Sequence, residues 1–284
     1  MTETFVWTDP DGTETSLQVE RQTQGRFAPP TKFVMDTSPT MPGSLMRSAR
    51  HESRRIVVPI VIQASTPTLL RDSLRDLNYA LDPVRGPGTL TVTGPDGYDR
   101  IVNAYLEDGM GLDETLNETT NGKTWQRASL QFFCEEPYWL DATSTSETIG
   151  YAATTSTFFP LFPLILTSSS VFGSATINNT GDVQTWPRWA ITGPGSAIYI
   201  RNLTSGEMIY LDTTLTAGET ITVDTAPGTR TITLNDGTSL FSTMSTDSVL
   251  WPLIVGNNRV QLEMSSATAS SSIAYSYERR WLSA

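Results

Sequence analysis

The sequence predicts a mainly β protein of two domains, with one helix in the first domain. Four observations lead to this prediction. One leucine-rich segment has helical periodicity, and short alternating apolar runs separated by turn signals occupy most of the remaining chain. The composition, with 20 Gly, 17 Pro and 17% charged residues, is typical of many strands and turns. At 284 residues the chain is long enough for two cores.

The helix is predicted over residues 67–82. Ser65 and Thr66 are N-cap candidates, Pro67 fits the first helical position, and Pro83 cannot continue the helix. Burying a leucine side chain is worth roughly 1.5–3 kcal/mol, so the apolar stripe must lie on the sheet formed by the neighbouring strands, 54–62 and 88–93. The stripe, spaced for one helix face, is Leu70, Leu74, Leu77 and Leu81.

Further strands of the first domain are predicted at 5–7, 17–19, 98–106 and 124–133. Residues 36–53 lack periodicity and contain two prolines, which predicts a long loop. Residues 107–122 are predicted to be a polar, acidic loop. In the last strand we expect four side chains to point inward: Trp125, Ala128, Leu130 and Phe132.

The change in composition after residue 140 predicts the domain boundary. The expected organisation is a first domain over 1–140, a Ser/Thr/Ala/Gly-rich linker over 141–157 and a second domain over 158–284. The second domain has no helical pattern. Its short strands, spaced about ten residues apart with turn signals between them, are typical of a β-sandwich. They are predicted at 197–200, 208–211, 220–223, 231–234, 259–264 and 273–277.

The charge distribution argues against nucleic-acid binding by bulk electrostatics. The net charge is −11, and residues 1–140 contribute −6 of it, so neither half is basic. The N-terminus has no signal-peptide pattern. The most apolar stretch, 158–166, contains two prolines and is far shorter than the ~20 residues of a membrane span. We therefore expect a soluble protein made in the cytoplasm, with no membrane insertion.

No catalytic, cofactor-binding or metal-binding residue can be assigned from the sequence. His51 is the single histidine and Cys134 the single cysteine, so neither a metal site nor an intrachain disulfide is indicated, and we expect Cys134 to be buried. Neither Lys32 nor Lys123 follows a phosphate-binding glycine loop. Adjacent strand residues face opposite ways, which argues against a glycosidase pair at Glu135 and Glu136.

Two other clusters leave alternatives open. Five acidic residues crowd one loop, which is either a cation site or a solvated surface: Glu107, Asp108, Asp113, Glu114 and Glu118. Seven aromatic residues of the second half are either a sugar-stacking platform or packing residues: Trp186, Trp189, Tyr199, Tyr210, Trp251, Tyr275 and Tyr277.

The order of several stretches resembles the distal tail protein of siphophages, the long, non-contractile-tailed bacteriophages (the tail-hub, or minor tail protein, family). In the first half these stretches are 54–60 (RRIVVPI), 70–74 (LRDSL), 88–92 (GTLTV), 95–97 (PDG) and 135–139 (EEPYW). In the second half they are 159–164 (FPLFPL), 181–187 (GDVQTWP), 202–207 (NLTSGE), 218–225 (GETITVDT), 251–253 (WPL), 256–258 (GNN) and 280–281 (RW).

The resemblance implies a tail-tube-like β-sandwich with one helix, followed by a galectin-like β-sandwich. It implies a structural virion protein of the phage tail tip, assembled in the host cytoplasm and not an enzyme. Six copies would form a ring joining the tail tube protein to the tape-measure protein and a tail-associated hub or fibre protein. DNA would pass through the lumen only in transit, and no cofactor is implied. A carbohydrate-binding adhesion module is the alternative.

A ring needs strand edges and long loops that a neighbouring copy can cover. The predicted loop 36–53 and the acidic loop near Asp108 are the best candidates for these contacts. The net negative charge also suits a channel through which DNA slides without sticking.

Overall fold

Antiparallel strands dominate both halves of the chain, in a computed structural model that describes residues 3–20, 23–37, 40, 42–110, 124–150 and 171–284. The chain divides into two compact units. Unit 1 is Met1–Ala142 with Trp281–Ala284, and unit 2 is Thr143–Arg280. The predicted mainly β fold class is confirmed.

Among its described residues, unit 1 contains nine complete strands and one α-helix, α1, with a short 3₁₀ turn at Pro83–Arg85. The strands are β1 (Thr4–Thr8), β2 (Glu14–Leu17), β3 (Thr31–Thr37), β4 (Ser44–His51), β5 (Arg54–Gln63), β6 (Gly88–Thr93), β7 (Asp99–Asp108), β8 (Trp125–Cys134) and β9 (Trp139–Asp141), and α1 is Pro67–Ala80.

The main sheet of unit 1 closes on itself. Strands follow the order β2-β1-β6-β7-β8-β5, every pair antiparallel. The segment after β2 then hydrogen-bonds to β5, because Val19 bridges Ile60 and Gln24 bridges Val57. This closure leaves the main sheet few free edges, and its core includes Trp7, which stacks on Phe132 with ring centroids 5.0 Å apart.

Helix α1 packs on this core, as predicted. The Thr66 hydroxyl accepts a hydrogen bond from the Leu69 amide, and Pro67 begins the helix. Of the predicted stripe, Leu70, Leu77 and Leu81 are buried and Leu74 is half-buried. The Trp7 indole donates to the Ala80 carbonyl at 2.8 Å and fixes the end of the helix against the sheet. The helix ends two residues earlier than predicted, because the Asp82 carboxylate caps the following 3₁₀ turn.

Two sequence expectations in unit 1 are wrong. Residues 36–53, predicted as a loop, contain β4, which pairs with β3 in a two-stranded sheet. The prolines and glycine that obscured this pattern lie between the two strands. In β8 the even-numbered residues face the core, so Gln126 is buried and Trp125 is exposed. The other three residues, Ala128, Leu130 and Phe132, point inward as expected.

Unit 2 is a sandwich of two antiparallel sheets around one core. The sheets are β10-β18-β12-β15-β16 and β11-β17-β13-β14, and the six predicted strands are all present. Trp189 and Trp251 are fully buried in the core, with ring centroids 5.6 Å apart. The strands are β10 (Thr145–Gly150), β11 (Val171–Asn179), β12 (Arg188–Thr192), β13 (Gly195–Asn202), β14 (Met208–Leu215), β15 (Thr220–Asp224), β16 (Thr231–Leu234), β17 (Gly256–Ser265) and β18 (Ser272–Tyr277), with β19 (Arg280–Trp281) at the crossing to unit 1.

Strand β10 changes the expected linker over 141–157. Residues 145–150 pair with β18 and belong to unit 2, whereas residues 151–157 lie outside the described part of the chain. The Ser/Thr-rich composition of residues 145–150 suits an edge strand as well as a linker, so composition alone did not distinguish a strand from a linker here.

Candidate assembly interface

The β3–β4 hairpin, residues 31–51, is the most unusual surface of unit 1. Its strands pair antiparallel from Thr31–His51 at the base to Thr37–Ser44 near the tip, with a bulge at Val34/Met35. Every residue of β3, and all of β4 except its last residue, is exposed. Among the described residues no other strand pairs with either strand, so both outer edges of the hairpin are open.

One face of the hairpin is apolar. The register places Phe33 opposite Ala49 and Met35 opposite Met46, so these four side chains share a face. Phe33, Met35 and Met46 are 52%, 56% and 58% exposed. Two-stranded hairpins are marginally stable alone, and three large apolar side chains left in water weaken one further. The face therefore has the properties of a surface that another molecule covers.

The opposite face carries most of the charge of the hairpin. Arg47 pairs with Asp36 at 2.6 Å, and Lys32 and Arg50 both approach Glu52, just beyond β4. Residues 31–51 contain three basic residues and one acidic residue, a net charge of +2 in a chain of net charge −11. The hairpin thus has the opposite sign to the rest of the chain, which favours contact with an acidic surface such as another copy.

The single histidine anchors the base of this hairpin. The Nδ1 atom of His51 lies 2.9 Å from the Tyr138 hydroxyl, and the two rings meet edge to face. The Glu52 amide donates to the Pro30 carbonyl at 2.9 Å, which ties the two ends of the hairpin together. His51 therefore has a structural environment and belongs to no cluster of potential metal ligands among the described residues.

The acidic cluster is only partly within the described residues, because Asp113, Glu114 and Glu118 lie outside them. Glu107 accepts hydrogen bonds from Arg55 at 2.7 and 2.9 Å and from Gln131 at 2.9 Å. These bonds, first that of Arg55 and then that of Gln131, lower the pKa of Glu107 to about 2. Asp108 accepts from the Gly109 amide. In the described part of the chain no three His, Cys, Asp or Glu side chains are grouped to hold a metal ion.

The remaining candidate residues, Cys134, Glu135 and Glu136, lie either in the core or on the exposed surface. Cys134 is fully buried, and burial raises the pKa of its thiol to about 12, which is the state of an unreactive core cysteine. Glu135 and Glu136 are exposed in a bend after β8 and not in a strand, so the argument from opposite strand faces does not apply to them.

The seven aromatic residues of unit 2 do not form one platform. Trp189, Trp251, Tyr275 and Tyr277 are core residues. Tyr199 and Tyr210 lie on an outer sheet face but stack on each other, with ring centroids 4.1 Å apart. A ring face already covered by another ring is closed to a sugar on that side. Trp186 is half-buried.

The hairpin lies largely within residues 36–53, which were predicted to be a loop. A signal was present, because the apolar run of residues 33–35 and the pair Leu45–Met46 flank a Pro/Gly segment, which is the pattern of a hairpin.

No α-helix among the described residues has the length and hydropathy needed to cross a membrane.

Comparison with known proteins finds a family model that matches part of the chain. Residues 180–281 match the family model described as siphovirus-type tail component, C-terminal domain, and the resemblance drawn from the sequence is confirmed. No curated protein is similar enough in sequence to count as a relative.

Solved structures extend the likeness to both units. The crystal structure of the Dit protein of phage SPP1, described as a paradigm of the hub adsorption apparatus in phages that infect Gram-positive bacteria, matches with a TM-score of 0.70 at 15% identity, covering 99% of this chain and 100% of that one. A chain of the phage p2 baseplate in its activated conformation with Sr matches with a TM-score of 0.52 at 14% identity, covering 98% of each. At these identities the likeness establishes the fold.

Proposed function

We propose that this chain, whose residues 180–281 match a siphovirus-type tail component, is a distal tail hub protein of a siphophage and acts by assembling into a ring. The likeness to the SPP1 Dit structure covers nearly the whole chain, which supports the same architecture in both units. The role is structural: the chain contributes surfaces, and no reaction is assigned to it.

The observation that carries the proposal is the exposed β3–β4 hairpin. Its two open edges differ, one belonging to β3 and the other to β4. Contact between the β3 edge of one copy and the β4 edge of the next is heterologous, and repeated heterologous contacts close into a ring when the rotation between copies allows it. Each copy would also cover the apolar face around Phe33 of its neighbour, which removes that face from water.

The copy number and the neighbours follow from the family resemblance. We take the ring to be a hexamer, in the virion at the tail tip, assembled in the host cytoplasm. It would join the tail tube protein to the tape-measure protein and to a tail-associated hub or fibre protein, with DNA passing through the lumen. We also propose that unit 1 has a tail-tube-like fold and unit 2 a galectin-like fold, as the family resemblance implies.

A carbohydrate-binding adhesion module remains the alternative function. It requires aromatic ring faces open to a sugar, and four of the seven candidate rings of unit 2 are in the core. The hairpin has no role in that alternative, and for this reason we favour the hub.

The test is the assembly state of the purified chain. Light scattering over a range of concentrations, with negative-stain imaging, should give a ring with the mass of about six chains. The double variant Phe33→Ser with Met46→Ser should be monomeric, with thermal unfolding unchanged, because both side chains are exposed in the single chain. Tyr98→Ser, at an exposed aromatic residue in the turn between β6 and β7, is the matched control and should still assemble.

Two results would overturn the proposal. One is a wild-type chain that stays monomeric at every concentration. The other is a double variant that forms rings as readily as the wild type. A glycan array with specific binding by the monomer would then favour the adhesion module.

A further inference from the structure

Unit 1 is completed by residues that follow all of unit 2 in the sequence. We call Trp281–Ala284 the return segment. The Trp281 indole donates to the Asp141 carboxylate at 2.7 Å, and the Arg100 guanidinium lies 4.8 Å from the centroid of the Trp281 ring. Trp281 and Ala284 also pack against the core of unit 1. The return segment is thus joined to unit 1 by a charge-assisted hydrogen bond, a cation–π contact and apolar packing.

The return segment also provides a ligand for a buried charge. Arg54, the first residue of β5, is fully buried. Its Nη2 atom donates to the Leu282 carbonyl at 2.8 Å and its Nη1 atom to the Arg26 carbonyl at 2.9 Å. Its Nε atom has no hydrogen-bond partner among the described residues. A guanidinium removed from water depends on each acceptor it keeps, so losing the Leu282 carbonyl would leave Arg54 poorly satisfied.

Arg54 lies beside the base of the hairpin. Strand β4 ends at His51 and β5 begins at Arg54, so two residues separate the hairpin from the buried guanidinium. The Arg26 carbonyl that Arg54 binds also accepts the Trp139 indole at 3.0 Å. The return segment, Arg54 and the base of the hairpin therefore form one connected structure.

We infer that the return segment is a completion lock: it closes unit 1 and fixes the base of the hairpin, so that a copy can assemble only after unit 2 has been synthesised. A nascent or truncated chain that lacks the segment would keep Arg54 incompletely bound and the hairpin base loose. Chains without a second unit would then be excluded from the ring. The lock itself is a property of one chain, and only its effect on assembly rests on the proposed function.

The test compares the full chain with two variants and a control. The first variant lacks residues 282–284, which removes the Leu282 carbonyl and Ala284. The second, Trp281→Phe, keeps an aromatic ring but loses the indole N–H to Asp141. The control is Trp125→Phe, at an exposed tryptophan of the same unit. Hydrogen exchange is measured region by region on dilute monomer, and ring formation is measured separately by light scattering.

Removing 282–284 should speed amide exchange in β5 and at the hairpin base by roughly tenfold or more, the scale expected for one lost hydrogen bond to a buried charge. Exchange in β17 and β18 should change less than about twofold. Trp281→Phe should show a smaller effect in the same places, and Trp125→Phe none. Both return-segment variants should assemble less readily than the wild type. If the deletion variant is insoluble, Trp281→Phe decides by the same comparison.

Unchanged exchange in β5 after removal of 282–284, or equal acceleration in both units, would overturn the lock. Rings formed equally well by the deletion variant would overturn its link to assembly. A wild-type chain that never forms rings contradicts the proposed hub, while the exchange comparison on monomer still decides whether the lock exists.

Discussion

The packing of α1 on the closed sheet can be measured with two leucines of the same helix. Leu77 is 6% exposed, whereas Leu69 is 50% exposed. Replacing either with alanine removes the same atoms and changes intrinsic helix propensity by the same small amount. The difference between Leu77→Ala and Leu69→Ala therefore isolates the burial of the leucine stripe.

The structure sets the size of the expected effect. Truncating a buried leucine to alanine costs about 2–5 kcal/mol, more where the surroundings cannot relax. Leu77 borders a groove of about 190 Å³ that Leu17, Ile60 and Ile62 also line, so its neighbours have room to move. We therefore expect about 2–3 kcal/mol for Leu77→Ala and less than about 0.5 kcal/mol for Leu69→Ala. For a unit of this size the first value lowers the melting temperature by roughly 5–10 °C.

Scanning calorimetry, with separate transitions for the two units, is the assay. The indole N–H resonance of Trp7, which donates to the Ala80 carbonyl, reports by NMR whether the helix end stays docked. Equal losses for Leu77→Ala and Leu69→Ala would refute the burial argument. A loss that appears in the transition of unit 2 would show that the helix does not belong to the core assigned to it.

Three further predictions concern single residues. Asn258→Ala should destabilise unit 2 by about 2–4 kcal/mol in urea unfolding, because this buried amide makes several backbone hydrogen bonds; a loss below 0.5 kcal/mol, on the order of a surface change, would contradict it. Glu107→Gln should lower the melting temperature at pH 7. Because the pKa of Glu107 is lowered to about 2 by Arg55, the difference should close as the pH falls from 4.5 towards 2, and a constant difference would contradict the pairing. Gly25→Ala should abolish soluble unit 1, because Gly25 has φ +75° and a Cβ atom there would lie 1.9 Å from the Arg55 carbonyl oxygen. Gly12→Ala, at φ +86° with open space around it, should yield folded protein, and equal yields of the two variants would contradict the steric argument.

Local pattern determined much of this fold. The spacing of Leu70, Leu77 and Leu81 and the cap at Thr66 determined the helix, because those signals depend on neighbours in the chain. The alternating runs of unit 2 gave its strands for the same reason. Local pattern could not decide which residues of β8 face the core, because Trp125 is as apolar as the residues that point inward. Only the pairing of β8 within the sheet decides which of its two sides is buried.

Long-range pairing decided the candidate interface. Residues 31–51 contain a recognisable hairpin, but a run such as 33–35 ordinarily predicts a buried strand. That both strands stay exposed follows from the closure of the main sheet, where Val19 and Gln24 bridge β5 and leave the hairpin outside.

The return segment shows most clearly what only the tertiary structure decides. Nothing near Trp281 in the sequence indicates that its indole binds Asp141 or that the Leu282 carbonyl binds Arg54. The sequence by itself determined the helix and the six strands predicted for unit 2, because hydrophobic periodicity is local. Which strand edges stay open, and which distant residues complete unit 1, depended on the folded chain. The first is decided by non-local bridges such as Val19 to Ile60, and the second by contacts between residues more than a hundred positions apart.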